Sequence, residues 1–132
     1  MTTVGVIVRK SLRHLQLAPV GQAADGSITA DTVVEYNFLM AEYEDAMDLT
    51  TPDGEPYEHA TLGLNDEHPL GDDTASGFSA LLAERMAADA GQTEFLSQRT
   101  IAEAQRCYGQ LLGKFGRGAE PLPGVRRRLR FN

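Results

Sequence analysis

Three groups of side chains in this sequence could do chemistry: two histidines in an acidic segment, a single cysteine, and a C-terminal arginine cluster. His59 and His68 lie within residues 49–73, where imidazoles and carboxylates together could bind a metal ion. Their spacing matches neither a zinc site nor a calcium loop. We therefore expect a solvated polar loop and no metal site.

Cys107 is the only cysteine, so no intrachain disulfide can form, and a reducing compartment is favoured. No nucleophile motif surrounds it. A small buried hydrophobic residue is therefore the better interpretation of this position.

The sequence lacks the motifs that mark common enzymes. It has no phosphate-binding glycine loop, nucleophile elbow, HExxH or CxxC. Pairs of carboxylates abound in so acidic a chain, and choosing one as an acid–base couple would be arbitrary. We predict no catalytic residues, no cofactor and no metal, and hence no enzyme.

The C-terminal arginines alternate with apolar residues. Glycines and prolines in residues 116–124 predict an extended backbone, in which successive side chains point to opposite sides. Such a tail suits a partner that offers apolar sockets and acidic rims. The alternative is a disordered basic end. The basic and apolar residues of this arm are Val125, Arg126, Arg127, Arg128, Leu129, Arg130 and Phe131.

Charge is distributed unevenly along the 132 residues, which fit one domain with a net charge of -7. Residues 1–30 carry +2, residues 31–98 carry -15 and residues 99–132 carry +6. An acidic body with a basic tail suggests head-to-tail association or a separate partner for the tail; a solvated acidic surface is the alternative. No apolar run approaches the ~20 residues of a membrane span, and the order of charges at the start is the reverse of a secretory signal. We expect no membrane partner and synthesis in the cytoplasm.

Residues 74–90 predict the helix around which the others pack. Phe78, Leu82 and Met86 form one apolar stripe, and small side chains cover most of the remaining surface, which lets other helices approach closely. Thr74 is the expected N-cap, and Gly91 is the expected left-handed residue at the C-terminal end.

Apolar spacing predicts three further helices, at residues 2–17, 30–48 and 93–115. The expected caps are Thr2 or Thr3 for the first, Thr32 with Glu35 in a capping box (or Thr29 or Asp31) for the second, and Thr93 for the last. In the second helix Val34, Phe38, Leu39 and Ala41 are expected to widen the core face. The methionine and tyrosine stripe of the same helix is expected to be core, although part of it could be a subunit interface. This stripe consists of Val33, Tyr36, Met40, Tyr43 and Met47. The stripe expected in the last helix is Ile101, Ala104, Tyr108, Leu111, Leu112 and Phe115.

The resulting fold class is all-α: a four-helix, bundle-like domain over residues 1–115 and an extended basic arm over residues 116–132. Residues 49–73 form a long irregular loop in which Pro52-Asp53-Gly54 is a turn, with Thr50–Thr51 and Tyr57–Leu64 as a short hairpin. Gly109 and Gly113 weaken the last helix by about 1 kcal/mol each relative to alanine, which suggests close packing or fraying.

The order of these elements resembles the head-to-tail adaptor family of tailed phages, also called head–tail connectors. The residues that carry the resemblance are the segments SLRHLQL, NFLMAEYEDAMDL, NDEHPLGDDTASGFSALLAERMAADAG and TIAEAQRCYGQLLGKFGRG, followed by the proline- and arginine-containing arm. The sequence departs from the family at Tyr43, where relatives often have tryptophan, and in the loop 49–73, which has no counterpart that we can align.

The resemblance implies a virion protein at the head–tail interface, assembled in the host cytoplasm. It would form a dodecameric ring on the portal protein, extend the DNA channel without sequence-specific DNA contact, and attach tail hub or nozzle proteins. The resemblance also implies that the arm residues Arg126, Arg127, Arg128, Leu129, Arg130 and Phe131 bind the portal. Two alternatives stay open: a small nucleic-acid-binding module that uses the arginine tail, and a cell-wall hydrolase, for which no residue pattern argues.

Overall fold

A computed structural model describes residues 2–16, 26–92 and 96–116. These residues form four helices, α1 (Val4–His14), α2 (Gly26–Ala46), α3 (Asp72–Asp89) and α4 (Gln98–Phe115). The described ranges contain isolated β-bridges but no strand. The prediction of an all-α, bundle-like domain is confirmed. The expected arm lies outside the described residues.

Helix α3 is the central helix, because it contacts each of the other three. Half of its residues are buried, and they lie on more than one side of the helix. They are Thr74, Ala75, Phe78, Ser79, Ala80, Leu81, Leu82, Ala83 and Ala87. The small side chains at many of these positions allow this close packing, as predicted. Gly91 has the expected positive φ, 68°.

The predicted cap of α3 is wrong. The helix begins two residues earlier, after Gly71, and Thr74 lies inside its first turn. The Thr74 side chain faces the core and donates to the carbonyl of Gly71, 3.0 Å away. A hydroxyl in the first turn can satisfy a nearby carbonyl as readily as it can cap.

Helices α3 and α4 approach each other closely at Gly77 and Cys107. A Cβ atom at Gly77 would lie 2.5 Å from the Cβ of Cys107, which is closer than carbon atoms can pack. Cys107 is buried, as the sequence predicted. The close packing expected at Gly109 and Gly113 is not present, because no atom lies within 4 Å of a Cβ placed at either residue.

Helix α1 is capped by Thr3, whose side chain accepts from the backbone N–H of Val6. The loop before α3 supplies two more acceptors. The N–H of Val4 donates to the carbonyl of Asp66, and that of Gly5 donates to the carbonyl of Leu64, both at 2.9 Å. The long loop therefore fastens the start of α1 to the body and satisfies N–H groups that a helix leaves unpaired.

Helix α2 begins at Gly26, earlier than expected, so the predicted capping box at Thr32 is wrong. Thr32 is buried within the helix, and its hydroxyl donates to the carbonyl of Ile28 at 2.7 Å. Arg85 of α3 reaches back to two carboxylates of α2, at 3.1 Å from Glu35 and 2.6 Å from Glu42. These ion pairs tie the two helices together.

Helix α4 begins at Gln98 with Ser97 as its N-cap, so Thr93 is not the cap. Ser97 Oγ accepts from the N–H of Thr100 at 3.1 Å. Of the expected core stripe, Tyr108 and Leu112 are exposed. Cys107 takes a place in the buried stripe, which consists of Thr100, Ala104, Cys107, Leu111 and Phe115.

The segment between α2 and α3 is irregular, as predicted, but the hairpin is reduced to one bridge between Thr50 and Pro56 around the expected turn. Asn37 of α2 anchors the segment by two hydrogen bonds with the backbone of Leu62, at 2.8 and 3.0 Å. This anchoring brings the second half of the loop against α1 and α3.

Candidate functional site

The predicted portal-binding residues, Arg126, Arg127, Arg128, Leu129, Arg130 and Phe131, lie outside the described residues. The structure does define where the last described residue lies. Gly116 forms a bridge with Met47, and the N–H of Asp48 donates to the carbonyl of Phe115 at 2.8 Å. Gly116 therefore lies beside the C-terminal end of α2.

The outer side of α2, here called the α2 face, exposes two large apolar side chains. Val34 is 50% exposed and Phe38 is 54% exposed. The residues on this face follow one another at steps of three and four, which places them on one side of a helix. They are Asp31, Val34, Phe38, Ala41 and Asp45, all of them exposed. The face thus has an apolar centre with a carboxylate at each end.

The sequence pattern predicts Val34 and Phe38 in the core, and this prediction is wrong. The structure places them opposite Tyr36, which is fully buried against Phe78. The signal that could have revealed this is the breadth of the apolar surface of α2. A helix that has neighbours on one side only cannot bury apolar residues around most of its circumference. The subunit-interface alternative concerns the methionine and tyrosine stripe, of which Tyr36, Met40 and Met47 are buried in the monomer.

A second exposed surface, here called the α4 face, lies on the outer side of α4. Tyr108 is 42% exposed and Leu112 is 39% exposed. Gly109 and Gly113 lie beside them and present backbone to the surface, and Arg106 lies on the far side of these glycines. The α4 face therefore combines an apolar edge, a shallow floor without side chains and a basic edge.

His68 is fully buried, so the expectation that it belongs to a solvated loop is wrong. Its Nδ1 lies 2.8 Å from the hydroxyl of Tyr36, and its Nε2 lies 3.0 Å from the hydroxyl of Thr74. Its ring also packs on Phe78, with centroids 4.9 Å apart. The imidazole joins the loop, α2 and α3 at one point in the core.

The hydrogen bonds around His68 agree with one neutral tautomer. Thr74 donates to the carbonyl of Gly71, so its oxygen accepts from Nε2–H of His68, and Nδ1 then accepts from Tyr36. Burial lowers the pKa of His68 to about 4, although the nearby carboxylates of Asp72 and Asp73 act to raise it. This network has a structural role, because no open surface reaches its polar atoms.

His59, by contrast, is half-buried in the loop. Its Nδ1 lies 2.9 Å from the hydroxyl of Tyr57, and its backbone N–H donates to a carboxylate oxygen of Glu44. The two histidines of the acidic segment therefore do not form one site. Within residues 2–16, 26–92 and 96–116, no three His, Cys, Asp or Glu side chains are placed to bind one metal ion.

A polar cleft of about 280 Å³ opens between α1, α3 and α4. His14 lies in it, 2.9 Å from the hydroxyl of Thr100 and 3.5 Å from that of Ser79, and burial lowers its pKa. Ser79 is buried, and its hydroxyl donates to the carbonyl of Ser76. The lining residues are Lys10, Arg13, His14, Ser76, Ser79 and Glu103.

No helix in the described part of the chain is both long and apolar enough to cross a membrane. Comparison with known proteins found no matching family model and no matching curated protein.

Proposed function

We propose that this protein is a structural component of a virion neck, a head-to-tail adaptor that binds the portal as a ring. In this role it extends the DNA channel and offers an attachment site for tail proteins. The arm residues Arg126, Arg127, Arg128, Leu129, Arg130 and Phe131 bind the portal subunits. The protein acts by binding other proteins and needs no cofactor.

The observation that carries this proposal is the presence of two exposed apolar helix faces on one small body. Isolated exposed apolar residues are ordinary, but Val34 with Phe38, and Tyr108 with Leu112, are pairs on the outer sides of different helices. A ring requires two different contact surfaces on each subunit, since each copy meets one neighbour on either side. The arm would supply a third contact, toward the portal.

The arm makes the proposal testable. The full chain should co-purify with the portal protein of the same virion, and a chain that lacks residues 119–132 should not. A charge-reversed arm, R126E/R127E/R128E/R130E, should lose portal binding while keeping the circular dichroism of the full chain. The matched control R9E/K10E reverses two exposed charges on α1 and should still bind. Undiminished portal binding by the truncated chain would contradict the arm model.

The arginines also favour a second candidate function, a nucleic-acid-binding module. Such a module should bind DNA with an affinity that falls steeply as salt rises, because counterions are released from the phosphates. The net charge of -15 over residues 31–98 argues against it, since a DNA-binding domain normally offers a basic face. A filter-binding titration of the full chain and the charge-reversed arm tests this function directly.

A further inference from the structure

We infer that the α2 face of one copy of this protein packs against the α4 face of a second copy. This inference rests on the proposed ring, because it names the surfaces through which neighbouring subunits meet. The occupant of each face is therefore another copy of the same chain, and the contact is heterologous, so that it can repeat around an axis.

The apolar groups of the two faces are complementary in kind. The α2 face presents a ridge in which Val34 and Phe38 are about half exposed. The α4 face presents Tyr108 and Leu112 along one edge, at 42% and 39% exposure. Burying both pairs against each other would remove four large apolar side chains from water, which is the usual driving force of association.

The α4 face also has room for the ridge. Gly109 and Gly113 are four residues apart on one side of α4, and at neither residue would an added methyl group meet another atom within 4 Å. Glycine inside a helix costs about 1 kcal/mol relative to alanine. No contact within the monomer requires glycine at either position. Phe38 of another copy would occupy the space that the missing side chains leave.

Charge decides which faces pair. The α2 face carries the exposed carboxylates of Asp31 and Asp45, and the α4 face carries the exposed guanidinium group of Arg106. Two α2 faces in contact would oppose carboxylates, and two α4 faces would oppose guanidinium groups, both of which are unfavourable. Only the contact between unlike faces brings opposite charges together and buries the apolar residues at the same time.

Thiol exchange between cysteines introduced singly on the two faces tests this pairing in the protein alone. One variant, F38C, is activated as its pyridyl disulfide and mixed with reduced G109C, and the released pyridinethione gives the rate. The native thiol does not interfere, because Cys107 is buried and burial raises its pKa to about 11. The like pairs F38C with F38C and G109C with G109C serve as controls, as does L64C, an exposed position on neither face.

We expect F38C to react with G109C about tenfold faster or more than with F38C or L64C, because contact raises the effective concentration of the thiols. Activated F38C should likewise react about tenfold faster or more with L112C than with L64C. The added substitution G109L, which fills the floor of the α4 face, should remove this advantage of L112C. Equal rates for all pairs, or faster reaction of like faces, would overturn the inference.

The result is separate from that of the portal experiment. If the exchange rates show pairing but portal binding fails, the subunit contact holds and the adaptor function does not. If portal binding succeeds and the exchange rates are equal, the adaptor function holds and the α2–α4 contact is wrong. Circular dichroism of G109L should match that of the full chain, which separates a blocked contact from a misfolded subunit.

Discussion

His68 should make the stability of this protein fall as the pH drops from neutrality. Burial lowers the pKa of this imidazole from 6.5 to about 4 in the folded chain. Between these values the unfolded chain binds a proton that the folded chain does not, so acid favours unfolding. The contribution is fully present above about pH 6.5 and is lost as the pH falls toward about 4.

The difference between the two pKa values corresponds to about 3 kcal/mol when the proton is fully taken up. At about pH 4.5 most of it, roughly 2 kcal/mol, should already be lost relative to about pH 7. That is a large fraction of the 5–15 kcal/mol by which folded domains are typically stable. Protonated His68 could no longer accept from Tyr36, whose hydroxyl lies 2.8 Å away in the buried network.

The assay is urea unfolding followed by circular dichroism at several pH values for the full chain and for H68Q. Glutamine keeps a donor and an acceptor but does not titrate, so H68Q should be less stable at neutral pH and lose less stability in acid. His14, whose pKa is also lowered, and the many carboxylates are common to both chains and cancel in the comparison. The control H59Q should follow the wild-type pH dependence because the buried imidazole is intact. Parallel curves for wild type and H68Q would refute this account of His68.

Two further predictions concern stability in urea. Alanine at Gly77 should destabilise the fold by about 1–3 kcal/mol, because its methyl group would lie 2.5 Å from the cysteine of α4. Alanine at Gly109 should instead stabilise the fold by about 1 kcal/mol, because nothing lies within 4 Å of the added methyl group and alanine favours the helix. Equal signs for the two substitutions would contradict the packing described between α3 and α4. Asn37→Ala should cost about 1–3 kcal/mol because both backbone groups of Leu62 lose their partner. The matched variant N65A, at an exposed position of the same loop, should change stability little.

Helix existence can be predicted from local patterns, since side chains three and four residues apart share one side of a helix. In α1, for example, Ile7, Val8 and Leu12 follow this spacing and are all buried. The alanine-rich composition of α3 also correctly indicates a central position, because small side chains let other helices approach closely. Helix ends are less predictable. Ser97 rather than Thr93 caps α4, because more than one nearby hydroxyl residue could cap and tertiary contacts select one.

The surfaces proposed for assembly could not be recognised in this way. A broad apolar pattern gives the same signal whether a neighbour belongs to the same chain or to another copy. The pattern predicts both Phe38 and Tyr108 in the core. Only the packing of the helices in the folded chain shows that both side chains are exposed.

His68 shows the same limit from the opposite direction. A histidine in an acidic, irregular segment is predicted to be solvated, because the local sequence does not show which distant residues cover it. Tyr36 and Thr74, which satisfy its two nitrogens, lie 32 residues before it and 6 residues after it on separate helices. Local periodicity and composition were therefore enough to predict four helices and the central place of α3, but not the residues at which the helices begin. Which side chains are covered, and by what, was decided only when segments far apart in the chain came into contact.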